Sequence, residues 1–291
     1  MRRTAIACAL LLAGCSYFAD HYLIYPDREP PAVQSWSDDI VADQLLIHVR
    51  GARPNGGGPY PAVIVHPEGG KRAADMQGVV WDLAAHGYVA LAADYERCIE
   101  GEFERSMFAW QSPADATAIL DITRRYEVID QQRLGLLGFS QGGVFSLLIA
   151  AYAPQRIRAV VSYYPVTDFP RWLNQEQSSF GKRVAFSVIR WYFRRESGAQ
   201  TEAQFEAVLR AASPYYVAQS IDAPVLLVHG DRDTTAPIEE SQRMAARLAE
   251  LGKPVELLVV PGGRHIFNFR QPPQAALAWQ ATLAWFDQYL R

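Results

Sequence analysis

This sequence has few cysteines and no excess of positive charge. Three cysteines occur in 291 residues, and the formal net charge at pH 7 is −3. A chain without an excess of lysine and arginine lacks the electrostatic footprint of nucleic-acid binding, so we expect no nucleic-acid partner. The HExxH motif and paired CxxC motifs are missing, and the glycine-rich turn at 54–59 lacks the lysine of a phosphate loop. The sequence therefore predicts neither a metal site nor a cofactor.

The N-terminus also lacks an apolar run long enough to span a bilayer. The run Ala5–Ala13 has nine residues, whereas a transmembrane helix needs about 20. Arg2 and Arg3 precede it. Basic residues followed by a short apolar segment are typical of a secretory signal peptide, so we expect residues 1–14 to be removed.

The apolar run ends in Leu12-Ala13-Gly14-Cys15. This tetrapeptide resembles the lipobox of bacterial lipoproteins, whose cysteine is lipidated and becomes the new N-terminus. The alternative is an ordinary signal peptide with an unmodified cysteine. Ser16 stands where an aspartate would favour retention in the inner membrane. We therefore expect a lipid-anchored protein of the bacterial cell envelope, in the outer membrane and facing the periplasm.

Residues 15–36 are predicted to form the lipidated N-terminus and a tether. Their segment Arg28-Glu29-Pro30-Pro31 favours an extended backbone, because proline disfavours helix at its own position and at the one before. With Cys8 removed and Cys15 lipidated, only Cys98 would remain. An intrachain disulfide is then excluded.

Apolar strands alternate with helices through residues 37–291, which we interpret as one catalytic domain. This alternation predicts an α/β fold, a mostly parallel, doubly wound sheet covered by helices on both faces. Ligands of such sheets bind at the carboxyl ends of the strands. The predicted strands are 45–49, 62–66, 88–94, 134–137, 157–164, 225–229 and 255–260.

The G-x-S-x-G motif centred on Ser140 is the main functional signal. An apolar strand, 134–137, precedes it and a helical stretch, 144–151, follows it. That context is typical of the nucleophile elbow, a sharp turn that exposes a reactive serine. Side chains at Gly138 and Gly142 would collide with the neighbouring strand and helix. The helix N-terminus would favour an oxyanion beside the serine.

His265 is the candidate base, because it follows the last predicted strand. His66 and His229 also end strands at the same sheet edge and are weaker candidates. A histidine beside Ser140 could take the serine proton and return it to the leaving group.

Three aspartates could orient the histidine. Asp233 and Asp231 follow the strand at 225–229, and Asp168 follows the strand at 157–164. The order Ser140, Asp233, His265 matches the chain order of nucleophile, acid and base that is usual for one large class of hydrolases.

Five motifs together resemble the dienelactone hydrolase and prolyl oligopeptidase-like branch of the α/β-hydrolases. The resemblance covers residues 60–291. The motifs are PAVIVHPEGG at 61–70, LAAHGYVALAADY at 83–95, RLGLLGFSQGG at 133–143, HGDRDTTAP at 229–237 and GGRH at 262–265.

This resemblance implies roles for several residues. In that branch the acid is the fourth residue of G-x-x-D, which favours Asp233 and leaves Asp231 in reserve. The residue after the nucleophile, Gln141, would donate one N–H to the oxyanion. A glutamate after the second strand precedes the other donor in dienelactone hydrolases, which implies Glu68 and Gly69. Dienelactone hydrolases carry a cysteine nucleophile, whereas this chain has Ser140. Large prolyl oligopeptidases carry an N-terminal propeller, for which this chain is too short. The resemblance therefore does not imply the substrate of either family.

Residues 169–212 lie between two predicted strands and are longer than a simple crossover connection. We interpret them as a small helical cap. Its helix is rich in aromatic residues, among them Trp191 and Tyr192. These side chains could line an acyl pocket or touch a membrane, but a helix packed on the core is the simpler interpretation. The sequence thus favours an esterase acting on a small-molecule ester through an acyl-enzyme. The alternatives are a serine peptidase with the same triad and a catalytically inactive scaffold.

Overall fold

The computed structural model describes residues 24–42, 45–99, 102–104, 113–175 and 180–291. The predicted signal peptide 1–14, the lipidation site Cys15 and the tether up to residue 23 lie outside these ranges. Within the ranges, no helix combines the length and the apolar character that a membrane-spanning helix requires.

The described strands form a single sheet, and most of its pairs are parallel. Their order is β1-β2-β4-β3-β6-β7-β8-β9, with β5 paired to β4. The pairs β1–β2 and β2–β4 are antiparallel, and every pair from β4 to β9 along this path is parallel. The predicted α/β class is confirmed. The strands are β1 (Val33–Ala42), β2 (Leu45–Pro54), β3 (Tyr60–His66), β4 (Val89–Ile99), β5 (Glu102–Glu104), β6 (Ile129–Phe139), β7 (Ile157–Tyr163), β8 (Val225–Gly230) and β9 (Val255–Val260).

Helices cover both faces of this sheet and create two apolar layers. Successive strand residues point to opposite faces. Val63 and Ile64 of β3 are both fully buried, yet Ile64 belongs to the apolar cluster of Leu148, and Val63 to that of Phe286. The helices are α1 (Gln77–Ala85), α2 (Pro113–Ile122), α3 (Gln141–Tyr152), α4 (Phe169–Asn174), α5 (Phe180–Glu196), α6 (Glu202–Ala211), α7 (Pro214–Val217), α8 (Glu239–Glu250), α9 (Phe267–Arg270) and α10 (Pro272–Leu290).

The N-terminal segment is part of the fold from Tyr25 onward. Tyr25 is only 4% exposed, and its ring lies 4.9 Å from that of Trp279 in α10. Val33 begins β1, which pairs antiparallel with β2 along its whole length. The predicted tether boundary at residue 36 is therefore wrong. Polar residues alternate along this edge strand, so its sequence has no continuous apolar run.

The segment predicted as a cap contains α4, α5 and α6, between β7 and β8. Ring centroids of Phe169 and Phe193 are 5.9 Å apart, and those of Trp172 and Phe186 are 4.9 Å apart, so α4 and α5 pack together. Trp172 Nε1 donates to the carbonyl of Thr235 at 2.9 Å. The base of these helices is thus attached to the loop after β8.

Candidate active site

Ser140 occupies the sharp turn between β6 and α3. Its backbone has φ 51° and ψ −113°, a conformation that non-glycine residues rarely adopt and that surrounding contacts must hold. The Ser140 N–H donates to the carbonyl of Tyr163 at 2.9 Å. The turn is thereby attached to the neighbouring strand β7, and its side chain is directed away from the strand ladder.

The glycines of the motif allow a very close backbone approach. A Cβ atom on Gly138 would lie 2.1 Å from the Gly142 carbonyl oxygen. A Cβ atom on Gly142 would lie 2.1 Å from the carbonyl oxygen of His66, at the end of β3. Neither distance is possible for a real side chain. The start of α3 therefore sits directly against the loop that follows β3.

His265 links Ser140 to Asp233. Its Nε2 lies 3.1 Å from Ser140 Oγ, and its Nδ1 lies 2.6 Å from Asp233 Oδ2. The second carboxylate oxygen of Asp233 accepts the backbone N–H groups of Thr235 and Ala236, at 2.8 and 2.9 Å. The three side chains form one hydrogen-bonded series from Ser140 through His265 to Asp233.

The charge of Asp233 is favoured in this position, although the residue is buried. Burial alone would raise the pKa of its carboxyl, but hydrogen bonds with His229 and His265 outweigh that effect and lower it to about 2. The carboxylate is therefore ionised at neutral pH. In this state it can accept a hydrogen bond from the Nδ1–H group of His265.

The other two aspartates have structural contacts. Asp231 is exposed and accepts the N–H of Gly262 at 2.7 Å, which joins the loops after β8 and β9. Asp168 pairs with Arg243 at 3.1 Å and also caps the N-terminus of α4. In the described ranges, no group of three or more His, Cys, Asp or Glu side chains is arranged to hold a metal ion.

The two weaker histidine candidates are buried beside the site. His66 Nδ1 lies 2.9 Å from Ser146 Oγ, and burial lowers the pKa of its imidazole to about 3, so the ring is neutral. His229 Nε2 donates to the Ala236 carbonyl at 2.8 Å, and its Nδ1 hydrogen-bonds Ser241 at 2.7 Å. His229 thus supports the loop that carries the aspartate.

The residues predicted to hold an oxyanion lie next to each other. A Cβ atom on Gly69 would be 3.0 Å from Oε1 of Gln141, so the loop after β3 faces the first residue of α3. Glu68 is 7% exposed, and its charge contributes to the raised pKa of Tyr164, after burial as the main cause. Glu68 therefore lies near the ring that contacts His265.

Trp191 and Tyr192 occupy different positions on α5. Trp191 is 51% exposed, and Tyr192 packs against the core. A role for either side chain in a substrate pocket therefore stays a prediction. The residues around a shallow groove of about 420 Å³ on the outer face of α5 are Arg183, Val184, Ser187, Val188 and Trp191.

Tyr164 and Asn268 belong to this site but were not predicted. The Tyr164 ring centroid is 4.8 Å from that of His265, and its hydroxyl donates to Asn268 Oδ1. Both side chains are fully buried. One signal was available, since Tyr164 is the last residue of the predicted strand 157–164 and so lies at the carboxyl edge of the sheet, where ligands of parallel sheets bind.

Comparison with known proteins identifies the family of this chain. A profile of the Prolyl oligopeptidase family matches residues 107–291. The uncharacterized peptidase YtmA of Bacillus subtilis is 27% identical over 218 residues, which are 74% of this chain and 80% of YtmA. A putative carboxymethylenebutenolidase of Escherichia coli K12 is 27% identical over 286 residues, 88% of this chain and 90% of that protein.

A solved structure shares the fold over almost the whole chain. The crystal structure of a putative dienelactone hydrolase from Klebsiella pneumoniae aligns with a TM-score of 0.63 and 23% identity, covering 89% of this chain and 100% of that one. The family profile spans more than half of the 291 residues and includes Ser140, Asp233 and His265. The chain is therefore a serine hydrolase with the α/β-hydrolase fold and belongs to the prolyl oligopeptidase family.

Proposed function

We propose that the protein hydrolyses carboxylic esters through an acyl-enzyme intermediate on Ser140. The observation that carries this proposal is the hydrogen-bonded series from Ser140 Oγ to His265 at 3.1 Å and from His265 to Asp233 at 2.6 Å. These distances are within the range at which a base can take a proton from a nucleophile and be oriented by an acid. The presence of a nucleophile, a base and an acid in this arrangement argues against a catalytically inactive scaffold.

The proposed reaction has two halves. His265 Nε2 takes the proton of Ser140 Oγ while the oxygen attacks the carbonyl carbon of the ester. The imidazolium then gives this proton to the leaving alcohol, and the acyl group remains on Ser140. In the second half a water molecule loses its proton to His265 and attacks the acyl carbon, and the imidazolium returns this proton to Ser140 Oγ as the bond to the acyl group breaks and the acid is released. Asp233 keeps Nδ1 protonated and stabilises the imidazolium in both halves.

The oxyanion of each tetrahedral intermediate would be held by the N–H groups of Gln141 and Gly69. Gln141 is the first residue of α3 and directly follows Ser140, so its backbone N–H lies at the N-terminus of the helix, where an anion is favoured. Gly69 lies against Gln141. Each such donor typically stabilises the transition state by about 2.7–4 kcal/mol.

An ester is favoured over a peptide for two reasons. Amide cleavage must expel a poor leaving group, which demands a precisely placed acid and a firmly held scissile bond. The E. coli relative, matched over 90% of its length, is a putative carboxymethylenebutenolidase. That name denotes an enzyme whose substrate is not a peptide. The second candidate is a peptidase with the same triad, and the family name and the relative YtmA favour it.

The two candidates are separated by comparing kcat/KM for p-nitrophenyl acetate and butyrate with that for proline-containing and other dipeptide amides. We expect every active ester to be cleaved with a higher kcat/KM than any amide, because the activated leaving group needs little protonation. The Ser140→Ala variant measures the background. A peptide amide turned over more efficiently than all esters would replace the esterase proposal with the peptidase.

Lipidation of Cys15 would hold this hydrolase at the bacterial envelope, on the periplasmic side of the outer membrane. The support is the sequence Leu12-Ala13-Gly14-Cys15. Tyr25 is anchored in the fold, so the tether would contain the nine residues between it and Cys15 and reach at most about 35 Å. The active site would therefore stay close to the membrane surface.

The Cys15→Ser variant should appear in the soluble fraction, whereas wild-type protein should sediment with membranes. One acyl chain binds membranes only marginally, but several chains on a single cysteine anchor stably. Mass spectrometry of the native N-terminus supplies the control. An unmodified Cys15 would contradict the proposed anchor and indicate a plain secreted protein.

A further inference from the structure

We propose that Tyr25, in the N-terminal segment, is a positioning residue for His265 and acts through α9 and Tyr164. The inference rests on the proposed function, since it assigns His265 the role of base. It extends the active site to a segment that lies outside the matched family region, residues 107–291.

The backbone around His265 is held in unfavourable conformations. In the described part of the chain, the non-glycine residues with positive φ are Ser140, Tyr164 and Ile266, at 51°, 38° and 58°. All three are at this site, because Tyr164 contacts His265 and Ile266 follows it. Such conformations are energetically unfavourable and persist only where neighbouring contacts hold them.

Tyr164 provides one of those contacts. Its ring lies against the imidazole of His265 at 4.8 Å with an interplanar angle of 61°. Its backbone N–H donates to the carbonyl of Val228 at 2.8 Å, and its hydroxyl donates to Asn268 Oδ1. Tyr164 therefore connects the ends of β7 and β8 with α9, the short helix that directly follows His265.

Tyr25 holds the other side of α9. Its ring centroid lies 5.9 Å from that of Phe269 in α9 and 4.9 Å from that of Trp279 in α10. Burial and the nearby Tyr163 raise the pKa of the Tyr25 hydroxyl, whereas the side chain of Asn268 lowers it. Phe269 directly follows Asn268, the asparagine that binds Tyr164, so a buried path runs from the N-terminal segment through α9 to the imidazole.

The consequence for catalysis follows from the tight geometry of the histidine. His265 must keep two hydrogen bonds, at 3.1 Å to Ser140 and 2.6 Å to Asp233. A helix of four residues has little stability of its own, so α9 depends on packing against its neighbours. A displacement of about 1 Å can reduce the rate by about 100-fold. Removing the Tyr25 ring should therefore affect proton transfer rather than substrate binding.

The test measures kcat and KM for p-nitrophenyl acetate in the full-length variants Tyr25→Ala and Tyr25→Phe. We expect Tyr25→Ala to lower kcat by about 10- to 100-fold with KM changed less than about threefold. Tyr25→Phe keeps the ring contacts with Phe269 and Trp279 and should recover most of kcat. The rate of labelling by a fluorophosphonate probe should fall in parallel with kcat.

Tyr126→Ala is the matched control. Tyr126 is a partly buried tyrosine, whereas Tyr25 is buried, and its contacts are with Trp36, at 5.2 Å, and with Asp38, at 2.6 Å, away from α9. It should lower the melting temperature and leave kcat within about twofold at a temperature where the variant is folded. If Tyr25→Ala does not fold, Asn268→Ala replaces it with the same expected loss of kcat.

Two results would overturn the inference. One is wild-type kcat in a folded variant that lacks the Tyr25 ring or, where that variant does not fold, the Asn268 side chain. The other is an equal loss of kcat in Tyr126→Ala, which would indicate general destabilisation. Failure of the proposed function looks different, because wild-type protein would then hydrolyse none of the esters, and the inference would fall with it.

Discussion

Replacing Ser140 by alanine should lower kcat for ester hydrolysis by about a million-fold, with little change in stability. Loss of the nucleophile alone removes the whole acyl-enzyme route, and a loss of this size is known from another serine hydrolase. The backbone contacts of the turn do not involve the hydroxyl, since the Ser140 N–H donates to Tyr163. The measurement compares kcat for p-nitrophenyl acetate with the melting temperature of the same sample.

Ser146→Ala is the matched control for this prediction. Ser146 is a buried serine on the same helix, α3, and its hydroxyl hydrogen-bonds His66 rather than His265. Losing that hydrogen bond should reduce stability by about 1 kcal/mol and leave kcat within about tenfold of wild type. Ser140→Ala protein with more than a few per cent of wild-type kcat would show that another group attacks the ester.

Replacing Asp233 by asparagine should lower kcat by about 10⁴-fold, the second-largest expected effect. An aspartate fixes the histidine tautomer, and a similar loss follows from this substitution in a serine protease. Asp233 Oδ2 accepts from His265 Nδ1 at 2.6 Å. An amide nitrogen in that position would donate a hydrogen bond, so Nδ1 would have to accept it, and Nε2 would carry the proton. The histidine could then no longer take the proton of Ser140.

Asp231→Asn and Asp168→Asn are the controls for the choice of acid. Both substitutions keep the side-chain volume, and neither residue hydrogen-bonds His265 in the structure. Asp168 caps α4 and pairs with Arg243; asparagine can keep the cap, so its variant should lose mainly the ion pair and about 1 kcal/mol of stability. Kinetics of the three variants give the ranking. A larger loss of kcat in either control than in Asp233→Asn would mean that the acid was assigned to the wrong residue.

The local parts of the site could be predicted because each depends on a short stretch of sequence. The elbow needs glycines two positions on either side of the serine, and the structure shows the reason, since Cβ atoms on Gly138 and Gly142 would overlap backbone atoms. The last strand, Val255–Val260, was predicted with its observed bounds, because its apolar run is flanked by Pro254 and Pro261.

The long-range parts could not be read from local sequence. The contact between Tyr164 and Asn268 joins residues 104 positions apart, and no pattern within either segment indicates it. Strand β1 was missed because only Val33 and Ile40 of its ten residues are buried, its middle is mostly polar, and it follows Pro30 and Pro31. The strand order, in which β3 lies between β4 and β6, likewise depends on packing of the helices.

For the aromatic helix α5, the sequence could not predict which of the apolar residues are buried. Its apolar residues occupy most of the circumference, so their identity does not tell which of them are buried. In the structure Ile189 and Phe193 are 4% and 2% exposed, whereas Trp191 is 51% exposed. The helix therefore packs on the core through one face, as the simpler interpretation predicted, and Trp191 points outward.

The central claim is that Ser140 is the nucleophile, and covalent labelling tests it most directly. Folded wild-type protein is treated with a fluorophosphonate probe and digested with trypsin, and the peptide 134–156, which contains Ser140 and Ser146, is fragmented in a mass spectrometer. We predict one probe adduct, located on Ser140, and strongly reduced labelling of His265→Ala, because the base that activates the serine is absent. Unlabelled wild-type protein, or an adduct on any other residue, would contradict the proposed mechanism.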